Sequence, residues 1–181
     1  GENFSLSVSY SFDADADGDL DLYMVNGSTF SSYGQGSGNV YYRNDGGRFI
    51  DDTAHAGLGD RRWGAGVAVG DVDGDGLRDL YLTNYGANAL FLNGASGQFV
   101  ETASGAEGGD FSASAAFVDY DGDGDLDLYV TNYVAFDIQP LLKDPSFWDP
   151  CVYLGGLRVF CGPVGLPGGE GLYLSKTFLS G

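Results

Sequence analysis

The chain is poor in the residues that most site chemistry uses. It has one histidine (His55), two cysteines (Cys151 and Cys161) and only eight Lys and Arg among 181 residues. A lone loop histidine reads as solvated, and neither G-x-S-x-G nor H-E-x-x-H occurs, so no enzyme motif is at hand. Eight scattered cations against 26 carboxylates give a formal charge of −18, which argues against nucleic acid and against anionic membrane surfaces. No apolar run approaches the length of a membrane span, so no membrane insertion is expected. Two cysteines are too few for a Cys-based metal site. Ten residues apart, they read as a disulfide closing a local hairpin in preference to a pair of buried free thiols. Only five prolines accompany 31 glycines, so the glycine is turn chemistry rather than collagen or a Pro-rich linker. Helix has almost no support, because no segment keeps a 3.6-residue period beyond two turns. Beginning at Gly1 without a signal peptide, the chain reads as processed or cut from something longer.

Aspartate and glycine are abundant instead, and they recur as one acidic loop. The pattern D-x-D-x-D-G-x-x-D is written three times, at Asp13 to Asp21, Asp71 to Asp79 and Asp119 to Asp127. Fourteen of the 26 carboxylates lie in these loops, so three divalent ions would bring −18 to −12. Carboxylates at alternate positions, a glycine at the sixth and a carboxylate at the ninth suit a hard cation. Calcium takes six to eight oxygens, whereas Mg²⁺ prefers to keep its waters. Without a cation the crowded carboxylates would splay the turn or raise their pKa values, so binding is expected to be coupled to folding. A disulfide and calcium loops both suit an oxidising, calcium-rich exterior, and an extracellular or secreted location is expected. Two sequons, Asn3-Phe4-Ser5 and Asn26-Gly27-Ser28, are candidate glycosylation sites that agree with it.

The loops start 58 and 48 residues apart, within the range of propeller blades. An alternating apolar stretch precedes each one: Leu6, Val8, Tyr10 and Phe12; Val67 and Val69; Ala115 and Phe117. Second strands follow at 20–26, 80–84 and 126–132, and third strands are expected at 39–43, 88–92 and 170–174. Turns at 44–47, 93–97 and 175–176 then lead to short fourth strands around Phe49, Phe99 and Phe178. The predicted fold is all-β: three four-stranded antiparallel propeller-type blades forming an incomplete or open propeller, in a single β-repeat domain, 1–181. Blade one covers 4–53, blade two 63–103 and blade three 111–181. The third carries an insertion at 134–169 that holds both cysteines and is expected to form an ordered flap.

These units resemble FG-GAP/VCBS repeats, the blades of integrin-α-type β-propellers, in which the acidic loop joins the first two strands. The stretch Phe117-Val118-Asp119-Tyr120-Asp121-Gly122-Asp123-Gly124-Asp125-Leu126-Asp127-Leu128-Tyr129-Val130 is close to the family's spelling. Unit three also resembles the bacterial relatives of cartilage acidic protein, secreted calcium-binding propellers often associated with a UnbV-type domain. That likeness lies in Asn132-Tyr133, Cys151-Val152-Tyr153-Leu154-Gly155, Phe160-Cys161-Gly162-Pro163 and Gly165-Leu166-Pro167-Gly168. The resemblance implies three Ca²⁺ sites. In the first, the ligands would be the side chains of Asp13, Asp15, Asp17 and Asp21 with the carbonyl of Asp19. The second would use Asp71, Asp73, Asp75 and Asp79 with the carbonyl of Leu77. The third would use Asp119, Asp121, Asp123 and Asp127 with the carbonyl of Asp125. An EF-hand is rejected, because it needs a glutamate at the twelfth position, where Met24, Leu82 and Val130 stand.

Closed propellers have typically four to eight blades, and this chain supplies three. Stacked repeats without polar caps invite association, so the expected partners are other propeller blades or further copies in a homo-oligomer or filament. The apolar stretch 2–12 suits the first strand of blade one, or a strand added to a neighbour's sheet. The expected function is non-enzymatic: an extracellular calcium-binding β-repeat protein acting in adhesion, matrix or filament assembly. One alternative is a calcium-dependent carbohydrate binder with Trp63, Trp148, Tyr33 or Tyr85 stacking on glycans. Another is a fragment of a larger secreted propeller enzyme; an acid/base pair outside the loops, such as Asp51 with Glu101, then depends on geometry.

Overall fold

The computed structural model describes residues 7–28, 35, 37–95, 97–134, 151–154, 157–161 and 176–179. Blade one is a four-stranded antiparallel sheet in chain order: β1 (Ser7–Phe12), β2 (Asp21–Asn26), β3 (Val40–Asp45) and β4 (Arg48–Asp51). β1 pairs with β2 from Ser7 opposite Asn26 to Phe12 opposite Asp21, so it is the first strand of its own blade. A one-turn helix, α1 (Thr53–Ala56), follows where only loop was expected. Gly57, at φ 75°, ends it in the left-handed conformation that glycine adopts without a Cβ penalty. His55 lies on this turn, 60% exposed, with Nδ1 3.2 Å from Asp52 Oδ2.

Blade two repeats the order with β5 (Trp63–Gly70), β6 (Asp79–Tyr85), β7 (Ala89–Asn93) and β8 (Phe99–Thr102). Blade three begins with β9 (Phe111–Val118) and β10 (Asp127–Val134). A separate hairpin within the insertion, β11 (Cys151–Leu154) and β12 (Leu157–Cys161), sets Cys151 directly opposite Cys161. β13 (Lys176–Leu179) then pairs with β10, Leu179 opposite Leu128 and Thr177 opposite Val130. The segment around Phe178 was expected as an outer fourth strand. It instead occupies the third place, because the free edge of β10 offers unpaired N–H and C=O groups that a neighbouring strand satisfies. The third strand expected at 170–174 lies outside the described residues.

The blades stack face on face, and period-two alternation divides their side chains between two interfaces. Between blades one and two lie Phe12, Tyr23, Val25 and Tyr41 against Leu80, Leu82, Ala89, Phe91 and Phe99, with Val67 and Val69 at the margin. Between blades two and three lie Ala68 and Tyr81 against Leu128 and Val130, with Leu90, Ala115 and Phe117. β6 therefore faces apolar neighbours on both sides, and all seven of its residues are buried.

The inner strand β5 is narrow enough to allow this. A Cβ on Gly64 would overlap Val25 Cγ1, and one on Gly70 would lie 2.9 Å from Phe117 Cδ2 and 3.0 Å from Leu126 Cδ1. A large ring comes from opposite partners at the two interfaces: Phe12 of blade one packs edge-on to Phe99, with Val69 in the same core, whereas Phe117 of blade three packs over Gly70. At one interface the N-terminal blade fills the gap, and at the other the C-terminal blade does.

Candidate metal centres

Each acidic loop connects the first two strands of its blade, and the same hydrogen bonds fold all three. The first aspartate accepts from the amide of the sixth residue: Gly18 N to Asp13 Oδ2 at 3.1 Å, Gly76 N to Asp71 Oδ2 at 2.9 Å, Gly124 N to Asp119 Oδ2 at 3.2 Å. The third accepts from the fifth amide at 3.3, 3.2 and 3.2 Å, and the fifth from the seventh amide at 2.8, 2.8 and 3.0 Å. These are short-range side-chain-to-backbone turns, which Asp favours over regular structure. They turn carboxylates inward, so that alternate residues of the bent loop converge.

The ninth aspartate closes the loop from inside the protein. Asp21 and Asp79 are fully buried and Asp127 nearly so. Each accepts from the second residue's amide: Ala14 N to Asp21 Oδ2 at 2.9 Å, Val72 N to Asp79 Oδ2 at 2.8 Å, Tyr120 N to Asp127 Oδ2 at 2.9 Å. The other oxygen reaches the β3–β4 or β7–β8 turn, with Asn44 N on Asp21 Oδ1 at 2.7 Å and Asn93 N on Asp79 Oδ1 at 2.8 Å. Tyr41 Oη also donates to Asp21 Oδ2 at 2.9 Å, and burial together with this carboxylate pushes the Tyr41 phenol pKa up.

Three of the four carboxylates expected at each site come together, and which three differs between loops. Ligand atoms of Asp13, Asp15 and Asp17 lie within 4.8 Å of one another in the first loop. In the second and third loops the close triads are Asp71, Asp73 and Asp79, and Asp119, Asp121 and Asp127, so the ninth residue replaces the fifth. Asp21 differs from Asp79 in having a third donor, Tyr41. Asp75 and Asp123 still lie in their loops, each turned to the seventh amide. At the seventh position, Leu77 is half-buried, while the Asp19 carboxylate accepts from Gly46 N at 3.2 Å.

Two observations test whether these residues fit a cation. Asp13 Oδ1 and Asp71 Oδ1 are buried without a hydrogen-bond partner among the described residues, a costly state for a carboxylate oxygen that a cation relieves. Asp15, Asp79 and Asp121 have pKa values raised above the ordinary range. Desolvation is the first cause in each. The neighbouring carboxylates follow: Asp21 and Asp17 around Asp15, Asp73 and Asp75 around Asp79, and Asp123 and Asp127 around Asp121. An all-oxygen set of this charge fits a hard divalent ion. In the third loop the first aspartate is better satisfied, because Gly122 N reaches Asp119 Oδ1 at 2.7 Å, and the loop is more exposed.

The other candidate residues fall elsewhere. Asp51 accepts from Thr53 Oγ1 at 2.7 Å and Glu101 pairs with Arg62 at 2.9 Å, so each carboxylate of the suggested acid/base pair is engaged with another partner. Trp63 and Tyr85 pack together at 5.8 Å between ring centroids, next to Phe111, and Tyr85 is buried. Asn26 ends β2 half-buried, and its Nδ2, the atom a glycan would take, donates to Gly38 O at 2.6 Å. Asn3, Tyr33 and Trp148 lie outside the described residues. Sequence reasoning missed Asn44 and Asn93 as loop anchors and took them only as turn formers. Their shared place, at the end of the third strand and two residues after Tyr42 and Phe91, is the signal that marks them.

A family model for the FG-GAP-like repeat matches residues 13–82 and, overlapping it, 71–130. Each match runs from the start of one acidic loop to the second strand after the next. No curated protein matches the chain.

Proposed function

The chain belongs to the FG-GAP-like repeat family, and on that footing we propose that it is a non-enzymatic, calcium-stabilised, extracellular β-repeat module that works by association. Calcium at the three loops would bind Asp13, Asp15, Asp17 and Asp21, Asp71, Asp73, Asp75 and Asp79, and Asp119, Asp121, Asp123 and Asp127, with the carbonyls of Asp19, Leu77 and Asp125. Its role there is electrostatic. The ion neutralises carboxylates that otherwise repel and clamps the turn between two strands, so it stabilises a blade rather than acting on a substrate.

One observation carries the association. Among the described residues, repeat positions that are covered on both sides in blade two have a blade on one side only in blades one and three. Leu22, Met24, Val40 and Tyr42 of blade one occupy the places of Leu80, Leu82, Ala89 and Phe91, which blade one covers in blade two. Ser114, Ala116 and Val118 of blade three occupy the places of Gly66, Ala68 and Gly70, which blade three covers. The two open faces therefore carry the two halves of an interface the chain already makes internally. Copies adding head to tail, or further blades, would bury both faces in the same way, and the repeated addition of a non-closing contact gives a filament.

Within the family we propose a place beside the bacterial relatives of cartilage acidic protein. The β11–β12 hairpin supports this: directly opposed residues of antiparallel strands lie at a Cα separation that a disulfide spans, and Cys151 opposes Cys161. The carbohydrate-binding reading has less support, since Trp63 and Tyr85 are spent on packing.

The test is light scattering and thermal melting of the purified chain in calcium and in EDTA. Assembly beyond the monomer in calcium is expected, with a melting temperature that falls on chelation. Each saturated site adds about 2.7 kcal/mol when free calcium is one hundred times Kd. A monomer with an unchanged melt in EDTA would sink both parts of the reading.

A further inference from the structure

The first two acidic loops are joined by a buried chain of hydrogen bonds, and its middle member is Asn93. Its backbone N–H donates to Asp79 Oδ1, the ninth carboxylate of the second loop, at 2.8 Å. Its side-chain Nδ2 crosses to blade one and donates to Ala14 O at 2.7 Å. The amide of the same Ala14 donates to Asp21 Oδ2, the ninth carboxylate of the first loop, at 2.9 Å. Asp79, Asn93, Ala14 and Asp21 are all buried, so water does not compete for these bonds. The turn that carries Asn93 also lies against the first loop, where a Cβ on Gly97 would stand 3.5 Å from Asp15 Cβ.

The repeat-equivalent residue in blade one behaves differently. Asn44 likewise donates its backbone N–H to its own ninth aspartate, Asp21, at 2.7 Å. Its Nδ2, however, stays within blade one and donates to Leu20 O at 3.0 Å. Crossing between blades is therefore a property of Asn93 and its neighbour, not of the repeat unit alone.

We propose that Asn93 is a positioning residue that couples the two cation loops, so that an ion at the second raises the affinity of the first. Resting on the calcium reading above, the coupling works in a simple way. An ion that fixes Asp79 fixes the backbone of Asn93, and the side chain then holds Ala14 and the first loop in the closed form. By linkage the effect is reciprocal, and coupling of this kind is commonly at least about fivefold in affinity.

The test is a calcium titration of the ¹⁵N-labelled full chain, followed at the amides of Gly18, Gly76 and Gly124, one in each loop. Asp73→Asn weakens the second site without touching the bonds of Asp79. It is expected to raise the calcium midpoint at Gly18 by about fivefold or more in the native background, and by less than about twofold beside Asn93→Ala. Equal shifts in the two backgrounds mean that charge alone links the loops and overturn the proposal. Should Asn93→Ala fail to fold, the Asp73→Asn effect is measured again in about 1 M KCl, where exposed charges are screened within about 3 Å. A persisting shift at Gly18 supports the hydrogen-bonded link, and its collapse overturns it. If none of the three glycine amides moves by about 10 mM calcium, above the usual range of extracellular modules, the calcium reading fails and this one with it.

Discussion

Blades one and two have the same strand order and the same loop, yet the middle of their second strands is buried to different depths. In β6, Leu80 and Leu82 are fully buried, and Tyr81 on the opposite face is too. In β2, Tyr23 and Val25 are buried while Leu22 and Met24, on the other face, remain half-buried. The local sequences are close, since Asp-Leu-Tyr opens both strands and Met24 stands where Leu82 does. The difference is made by neighbours. A blade of this kind makes most of its strand ladders within itself, apart from links such as the Tyr85–Phe111 pairing and the Asn93–Ala14 bond. It completes only half of its hydrophobic burial, however, and depends on a blade on each side for the rest. Loop residues follow the same rule. Leu126 is half-buried beside Gly70, whereas Leu20, at the same loop position in blade one, is 58% exposed.

The sharpest way to break that contrast is to truncate the equivalent leucine and methionine. Leu82→Ala removes a fully buried side chain from between two sheets and is expected to cost about 2–5 kcal/mol. Met24→Ala makes the matching change on the open face and is expected to cost about 1 kcal/mol or less. Chemical denaturation of dilute monomer measures both. A comparable loss at Met24 would mean that this face is already covered in solution, and it should then depend on protein concentration.

A second pair probes the other interface. Gly70→Ala places a methyl group against Phe117 and Leu126 and is expected to cost about 1–3 kcal/mol through overpacking. Blade three already carries valine, Val118, at the same repeat position, 47% exposed with no blade behind it among the described residues. Val118→Ala should change monomer stability by no more than about 0.5 kcal/mol. If the two substitutions cost the same by denaturant titration, Gly70 is not the close-packing point between blades two and three.

Most of the frame was legible because the acidic loops tie strand positions to fixed offsets. Once Asp21, Asp79 and Asp127 are taken as ninth residues, the second strands and the inward faces of Tyr23 and Tyr81 follow from alternation. The convergence of alternate carboxylates was legible for the same reason, being local. What was not legible is non-local. Asn93 meets Ala14 across 79 residues of sequence, and no local periodicity marks a side chain that crosses between sheets. The place of β13 was hidden because two short apolar runs compete for one free strand edge, and edge pairing carries no composition signal of its own. The third donor to Asp21, the Tyr41 hydroxyl, likewise comes from twenty residues away on another strand.

The smallest effect lies in the loops and separates the first from the other two. The fourth loop position is Gly74 at φ 75° and Gly122 at φ 78°, but Ala16 at φ 59° in the first loop. A left-handed conformation costs an alanine about 1–2 kcal/mol through its Cβ. Replacing alanine by glycine returns about 0.4–1 kcal/mol of that to the greater freedom of the unfolded chain. Ala16 is exposed, so no packing changes when its methyl is lost. Ala16→Gly is therefore expected to stabilise the chain by about 0.5–1 kcal/mol in EDTA, whereas Gly74→Ala should destabilise it by a similar amount. Paired denaturation curves measure the two changes. A destabilising Ala16→Gly would mean that the first loop, which blade two braces through Asn93 and Gly97, does not hold the strained backbone at Ala16 in solution, and that the bracing seen beside it relaxes the turn.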